Sequence, residues 1–143
     1  MSGTLGIDFG TSNSAAGICV DGKPHLIPLE GDSPTMPTAV FFDFESKDML
    51  LGAAASDALL DGEEGRYMRG LKSLLGTRLM RESRMLLGER LDFIDIVARF
   101  LKQVKTRAEA ATGQTFTRAL SGRPVRFHSE DEARNAQALV DLT

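Results

Sequence analysis

The amino-acid sequence predicts an α/β fold, a mixed sheet that opens with an antiparallel N-terminal meander and carries flanking helices. Short β-rich runs separated by turn formers fill the stretch up to Leu29, whereas the clearest helical periodicity begins only near Arg90. The chain has 143 residues, 42% hydrophobic and 26% charged, which is the size and balance of one soluble globular domain.

Residues 4–9 and 15–20 mix β-formers with small residues, and Gly10-Thr11-Ser12-Asn13-Ser14 between them is rich in turn formers. The expectation is a strand, a tight loop and a strand. Asp21-Gly22 is a hairpin signal, followed by His25-Leu26-Ile27-Pro28-Leu29 as a third strand, with Pro28 at an edge or irregular position. Pro34, Pro37 and several hydroxyl residues make 31–38 a loop before the β-rich Ala39-Val40-Phe41-Phe42-Asp43-Phe44. Met49 to Gly52 reads as a short partner strand, and Ala53 to Leu60 as a short helix ended by Asp61-Gly62. From Tyr67 to Leu75, Met68, Leu71, Leu74 and Leu75 recur at helical spacing, and Gly76 stops that helix. Arg78, Arg81 and Arg84, interleaved with Glu82 and Glu89, read as a solvated connector.

A long helix is predicted from about Arg90 to Ala111, with Leu91, Ile94, Ala98, Leu101, Val104 and Ala108 as its apolar stripe and Gly113 as its C-cap. Thr117 to Leu120 follows as a brief strand. Ser129 and Glu132 form a capping box that opens a last helix through Ala133, Ala136, Leu139 and Val140.

The net charge of -3, with 17 basic residues interspersed among 20 acidic ones, argues against nucleic acid as a partner. Cys19 is the single cysteine, so no intrachain disulfide can form; it reads as a buried, inert thiol and fits a reducing cytoplasm. The N-terminus lacks a basic start and an apolar core of signal-peptide length, and no run is long enough to span a membrane. His25 and His128 lack metal-ligand spacing and read as surface or turn residues.

The chemistry concentrates at Leu5-Gly6-Ile7-Asp8-Phe9-Gly10-Thr11-Ser12-Asn13-Ser14, a strand-end carboxylate followed by a glycine and consecutive polar side chains. Such a loop suits a phosphate tail with its metal. Gly10 lets the backbone approach an anion, the loop amides and the Thr11 and Ser12 hydroxyls can donate, and Asp8 can hold hydrated Mg2+. It is not a P-loop, since Gly-Lys-Ser/Thr is absent. An ordinary hairpin turn beside a strand-end aspartate is the bland alternative for the motif taken alone.

The run Gly6-Ile7-Asp8-Phe9-Gly10-Thr11-Ser12-Asn13-Ser14 closely resembles the first phosphate motif of the actin, sugar-kinase and DnaK-type chaperone superfamily, in its heat-shock form. Pro37-Thr38-Ala39-Val40-Phe41-Phe42 resembles the family's Pro-Ser-x-x-x-aromatic strand, and Leu51-Gly52-Ala53-Ala54-Ala55 its Val-Gly-x-x-Ala segment. Leu71-Lys72-Ser73-Leu74-Leu75-Gly76 resembles the Ile-Lys-Arg-Leu-Ile-Gly helix, whose lysine points at the γ-phosphate. The resemblance implies a ribonuclease-H-like, actin-like ATPase lobe over residues 1–143, incomplete within the nucleotide-binding domain. It implies ATP/ADP and Mg2+ as ligands, with Lys72 and Asp8 catalytic, Asp8 holding the metal through water, and Gly10, Thr11, Ser12 and Asn13 on the phosphates. Pro124 and Arg134 match in type a proline and arginine that relay nucleotide state to the substrate domain, at a spacing two residues longer than usual. Gly122-Arg123-Pro124-Val125 is similar to the divergent, YegD-like branch of these chaperones.

The family's second phosphate loop, catalytic glutamate segment and adenosine-binding residues do not occur in this sequence. The expectation is therefore a cytoplasmic piece of an ATP-hydrolysing chaperone that is itself essentially inactive, reaching unfolded clients and co-chaperones only through a full-length parent. Uncovered sheet edges make self-association a further expectation. A small-molecule kinase or an actin-like filament protein shares the Asp-x-Gly-Thr loop and is the alternative; Lys72 and its segment favour the chaperone.

Overall fold

The computed structural model describes residues 2–122 and 132–142. Its first sheet is built on β1 (Ser2–Phe9) and β2 (Asn13–Val20), which pair antiparallel with Asp8 opposite Ala15. Asp21 and Gly22 both have positive φ, the two-residue turn whose twist matches its strands, and β3 (Lys23–Ile27) returns antiparallel on β2. The meander expected from the sequence is thus present. The same edge of β2 also takes β4 (Thr35–Pro37), opposite Asn13–Ala15, inside the stretch expected to be a loop. Three residues beside two prolines carry too little pattern to read as a strand; β2 supplies the partner that makes them one.

A second sheet, ordered β6-β5-β7, comprises β5 (Ala39–Asp43), β6 (Met49–Leu51) and β7 (Gly65–Arg69), with α1 (Ala53–Leu60) connecting β6 to β7. Here the helix expected over 67–75 is corrected. Tyr67 and Met68 lie in β7, opposite Phe41 and Val40, and only Leu71–Leu74 coil, as one 3-10 turn. Met68, Leu71 and Leu75 are all buried, so the three-and-four spacing is satisfied by a strand that turns at Gly70 (φ 66) rather than by a helix. The open edge of β5, with Phe41 and Phe42 buried, outweighs local helical preference.

The segment read as a solvated connector instead contributes to the core. Arg78–Arg81 forms a 3-10 turn that buries Met80, and β8 (Arg84–Leu86) pairs with β9 (Glu89–Leu91) through Leu87-Gly88, burying Leu86 and Leu91. α2 (Phe93–Thr112) starts after that hairpin, at an Asp92 cap whose carboxylate accepts the Asp95 amide at 2.8 Å while Asp95 accepts the Asp92 amide at 3.0 Å. Gly113 ends it in the left-handed conformation, as expected. Its buried face is Phe93, Ile96, Val97, Phe100, Val104 and Ala108, a rotation from the expected stripe that leaves Ala98 exposed.

β10 (Thr115–Ser121) joins the first sheet parallel to β1, which makes that sheet mixed as predicted. α3 (Glu132–Leu142) follows, while Ser129 of the expected capping box lies outside the described residues. Leu5, Phe9, Ala16 and Ile27 lie in one core cluster with the buried face of α2, and Phe9 meets Phe100 with ring centroids 5.9 Å apart. The opposite face of the sheet carries Asp8, Gly6, Gly17, Leu26 and Leu120, with Leu26 and Leu120 exposed. Cys19, expected to be buried, is exposed near the end of β2, beyond the reach of the core; His25 is exposed as anticipated.

Candidate functional site

The hairpin loop between β1 and β2 is anchored from both sides. Phe9 is buried under α2, and strand alternation turns Asp8 to the other face, where it is exposed. Gly10 bends the chain so tightly that a Cβ there would lie 2.1 Å from the Asn13 carbonyl oxygen, so only glycine closes this loop. Thr11, Ser12 and Asn13 are exposed beyond it.

The loop is fastened to the start of the second sheet. The Thr38 amide donates to the Ser12 carbonyl at 2.9 Å, and the buried Ser14 and Thr38 hydroxyls meet at 2.8 Å. A buried hydroxyl pair of this kind is costly to separate, so it sets the loop's position relative to β5 and β7.

Between loop and second sheet opens a cleft of about 290 Å³, lined by Thr11, Ser12 and Thr38 on one side and by Tyr67, Arg69 and Gly70 on the other. That is at the lower end of the roughly 300–1,000 Å³ of small-molecule sites, room for phosphate groups rather than a whole nucleotide. Of the residues singled out from sequence, Thr11 and Ser12 share this cleft. Asp8, Gly10 and Asn13 lie in or beside the same hairpin without lining it, and Lys72 is half-buried in the 3-10 turn that follows Gly70. Arg134 sits on α3, where its carbonyl oxygen packs 2.1 Å from the point a Cβ on Gly76 would occupy; Pro124 and His128 lie outside the described residues.

The sequence reading missed Thr38 and Arg69 as cleft residues. Arg69 fell within a stretch assigned to a helix, and only its register opposite Ala39 brings it to the cleft. The motif containing Thr38 was visible, but its hydroxyl contact with Ser14 depends on β4 pairing with β2.

The donor set suits a magnesium-bound phosphate chain. Hydroxyl residues and one arginine line the cleft, and a carboxylate, Asp8, stands at the adjoining strand end. Among the described residues no three His, Cys, Asp or Glu side chains cluster as a metal cage. No described helix is long and apolar enough to cross a membrane.

Comparison with known proteins identifies a family for the chain. The family described as Hsp70 protein matches residues 4–139. A chaperone protein DnaK of Picrophilus torridus is 34% identical over 99% of the chain and 23% of its own length. One from Methanothermobacter thermautotrophicus is 34% identical over 92% of the chain and 22% of its own length. A third, from Cenarchaeum symbiosum, is 29% identical over 95% of the chain and 20% of its own length. The chain thus spans less than a quarter of the curated relatives it matches.

Proposed function

The chain belongs to the Hsp70 family and corresponds to the first part of a DnaK-type, actin-like ATPase domain, and from that premise we propose that it supplies the first phosphate-binding loop of an ATP site in a molecular chaperone. The observation that carries the reading is the cleft shared by Thr11 and Ser12 of the loop with Thr38 and Arg69 across from it. A bend that only glycine can make, followed by three exposed polar residues, leaves amides and hydroxyls available to phosphate oxygens.

In this reading Gly10, Thr11, Ser12 and Asn13 hold the phosphates of ATP or ADP, Asp8 orients hydrated Mg2+, and Lys72 is the catalytic cation near the γ-phosphate. Bound MgATP supplies the phosphoryl group and the charge neutralisation of its metal. The chain's residues position it: the anchored loop prevents the phosphates from drifting, which is where catalysis of phosphoryl transfer chiefly resides. Pro124 and Arg134 carry nucleotide state towards a substrate domain, and clients and co-chaperones are engaged through the longer protein. A reducing cytoplasm suits the exposed free thiol of Cys19.

The sequence holds one phosphate loop and no second Asp-Gly-Gly-Gly-Thr motif to close the site from the other side. The 143-residue chain is therefore expected to bind MgATP weakly, to weaken further on Thr11→Ala, and to release no phosphate steadily. Calorimetric titration paired with a phosphate-release assay checks this; saturable tight binding with continuous turnover, or binding indifferent to Thr11→Ala, would overturn it. The uncovered face bearing Leu26 and Leu120 supports the companion reading that copies of the chain self-associate.

A further inference from the structure

Resting on the nucleotide reading above, we infer that Arg69 is the cation that faces the outermost phosphate in this cleft and makes the site prefer a triphosphate to a diphosphate. Three observations converge on it. Arg69 ends β7 opposite Ala39, and the neighbouring Thr38 is bound to the phosphate loop through the Ser12 carbonyl at 2.9 Å and the Ser14 hydroxyl at 2.8 Å. The guanidinium's strand is therefore registered to the loop by backbone pairing and a buried hydroxyl contact.

Arg69 is also exposed, and its side chain has no ion pair or hydrogen bond with any described residue. Arg81 is committed to Asp141, Arg99 to Glu89 and Arg107 to Glu30, and of the described arginines Arg69 is the one that lines the cleft. A guanidinium with no protein carboxylate keeps its planar fork of donors for a ligand, and phosphate is the anion that fork matches in two-point fashion.

The lining of the cleft is the third observation. It contains hydroxyls, an aromatic ring and one cation but no carboxylate, so its chemistry selects an anion. Gly70, at φ 66, then bends the chain into the 3-10 turn that carries Lys72. Two cations thus flank one bend, and it is Arg69, not the half-buried Lys72, that lines the space in front of Thr11 and Ser12.

The test titrates the 143-residue chain with MgATP, MgADP and inorganic tripolyphosphate, comparing the unaltered protein with Arg69→Gln, Arg69→Lys, Lys72→Gln and Thr11→Ala. Arg69→Gln is expected to weaken MgATP and tripolyphosphate by roughly tenfold or more while changing MgADP far less, with an unchanged thermal melt because the side chain is exposed. Arg69→Lys restores part of the difference, since it keeps the charge but not the fork. Arg69→Gln that leaves MgATP affinity intact, or weakens ATP and ADP equally, overturns the inference. So does Lys72→Gln removing the ATP preference while Arg69→Gln leaves it intact. If Thr11→Ala abolishes binding while Arg69→Gln does nothing, the inference fails and the nucleotide reading survives. If the unaltered chain binds none of the three, both fail.

Discussion

Asp141 shows how a single carboxylate can hold a helix in place. Its side chain is fully buried on α3, yet its oxygens accept the Gly76 amide at 2.8 Å, the Gln137 amide at 2.9 Å and the Arg81 guanidinium at 2.9 Å. Burial pushes its carboxyl up; the Gly76 and Gln137 hydrogen bonds and the Arg81 charge outweigh that and leave it below the usual aspartate range. A carboxyl depressed by folding contributes stability that is present above its unfolded value near 3.8 and lost as pH falls through the folded value. Thermal melts followed by circular dichroism from neutrality into that acid range should therefore show progressive destabilisation, and Asp141→Asn should start lower and flatten the dependence. An Asp141→Asn protein as acid-sensitive as the original would assign the acid response to other groups. None of this was legible in sequence, because Asp141 and Gly76 are 65 positions apart and the motif that contains Gly76 carries no signal of a distant carboxylate.

At the scale of elements, the sequence pattern located α2 but not its buried face. Apolar residues on this helix span more than one stripe, and both candidate stripes include Val104 and Ala108, so periodicity cannot choose between them. The sheet chooses: Phe9 on β1 offers a ring to Phe100, and the helix rotates to meet it. Phe100→Ala is expected to cost about 3–5 kcal/mol by cavity formation, whereas Ala98→Ser at its exposed position should change stability by about 0.5 kcal/mol or less. Urea unfolding midpoints distinguish them, and comparable costs at the two sites would contradict this face assignment. β7 teaches the converse lesson. Its apolar spacing looked helical because a strand followed by a 3-10 turn repeats buried positions at similar intervals, and only its register on β5 separates the two.

Across the whole molecule, Glu30 joins parts that sequence order keeps distant. Its carboxylate accepts the Ala53 amide at the start of α1 at 3.0 Å and the Arg107 guanidinium of α2 at 3.2 Å, so the helix beside the second sheet is tied to the helix beneath the first. α2 covers one face of the first sheet, and on the other face Leu26 is 66% and Leu120 71% exposed. Light scattering at increasing concentration should show a rising average mass, reduced by the double change Leu26→Lys and Leu120→Lys. A mass that stays monomeric throughout would rule out association through this face.

By itself the sequence determined the hairpin loop with its glycine bend, the order of the motifs, the sheet's opening meander and the C-cap of the long helix. These depend on backbone conformation and hydrogen bonds within a few residues, which local chemistry specifies. Only the tertiary structure decided which side chains share the cleft, which stripe of α2 is buried, and that Thr35–Pro37 and Gly65–Arg69 are strands. Each of those outcomes requires a partner strand or a packed ring supplied from elsewhere in the chain, and the free energy that selects it does not exist until the two are brought together.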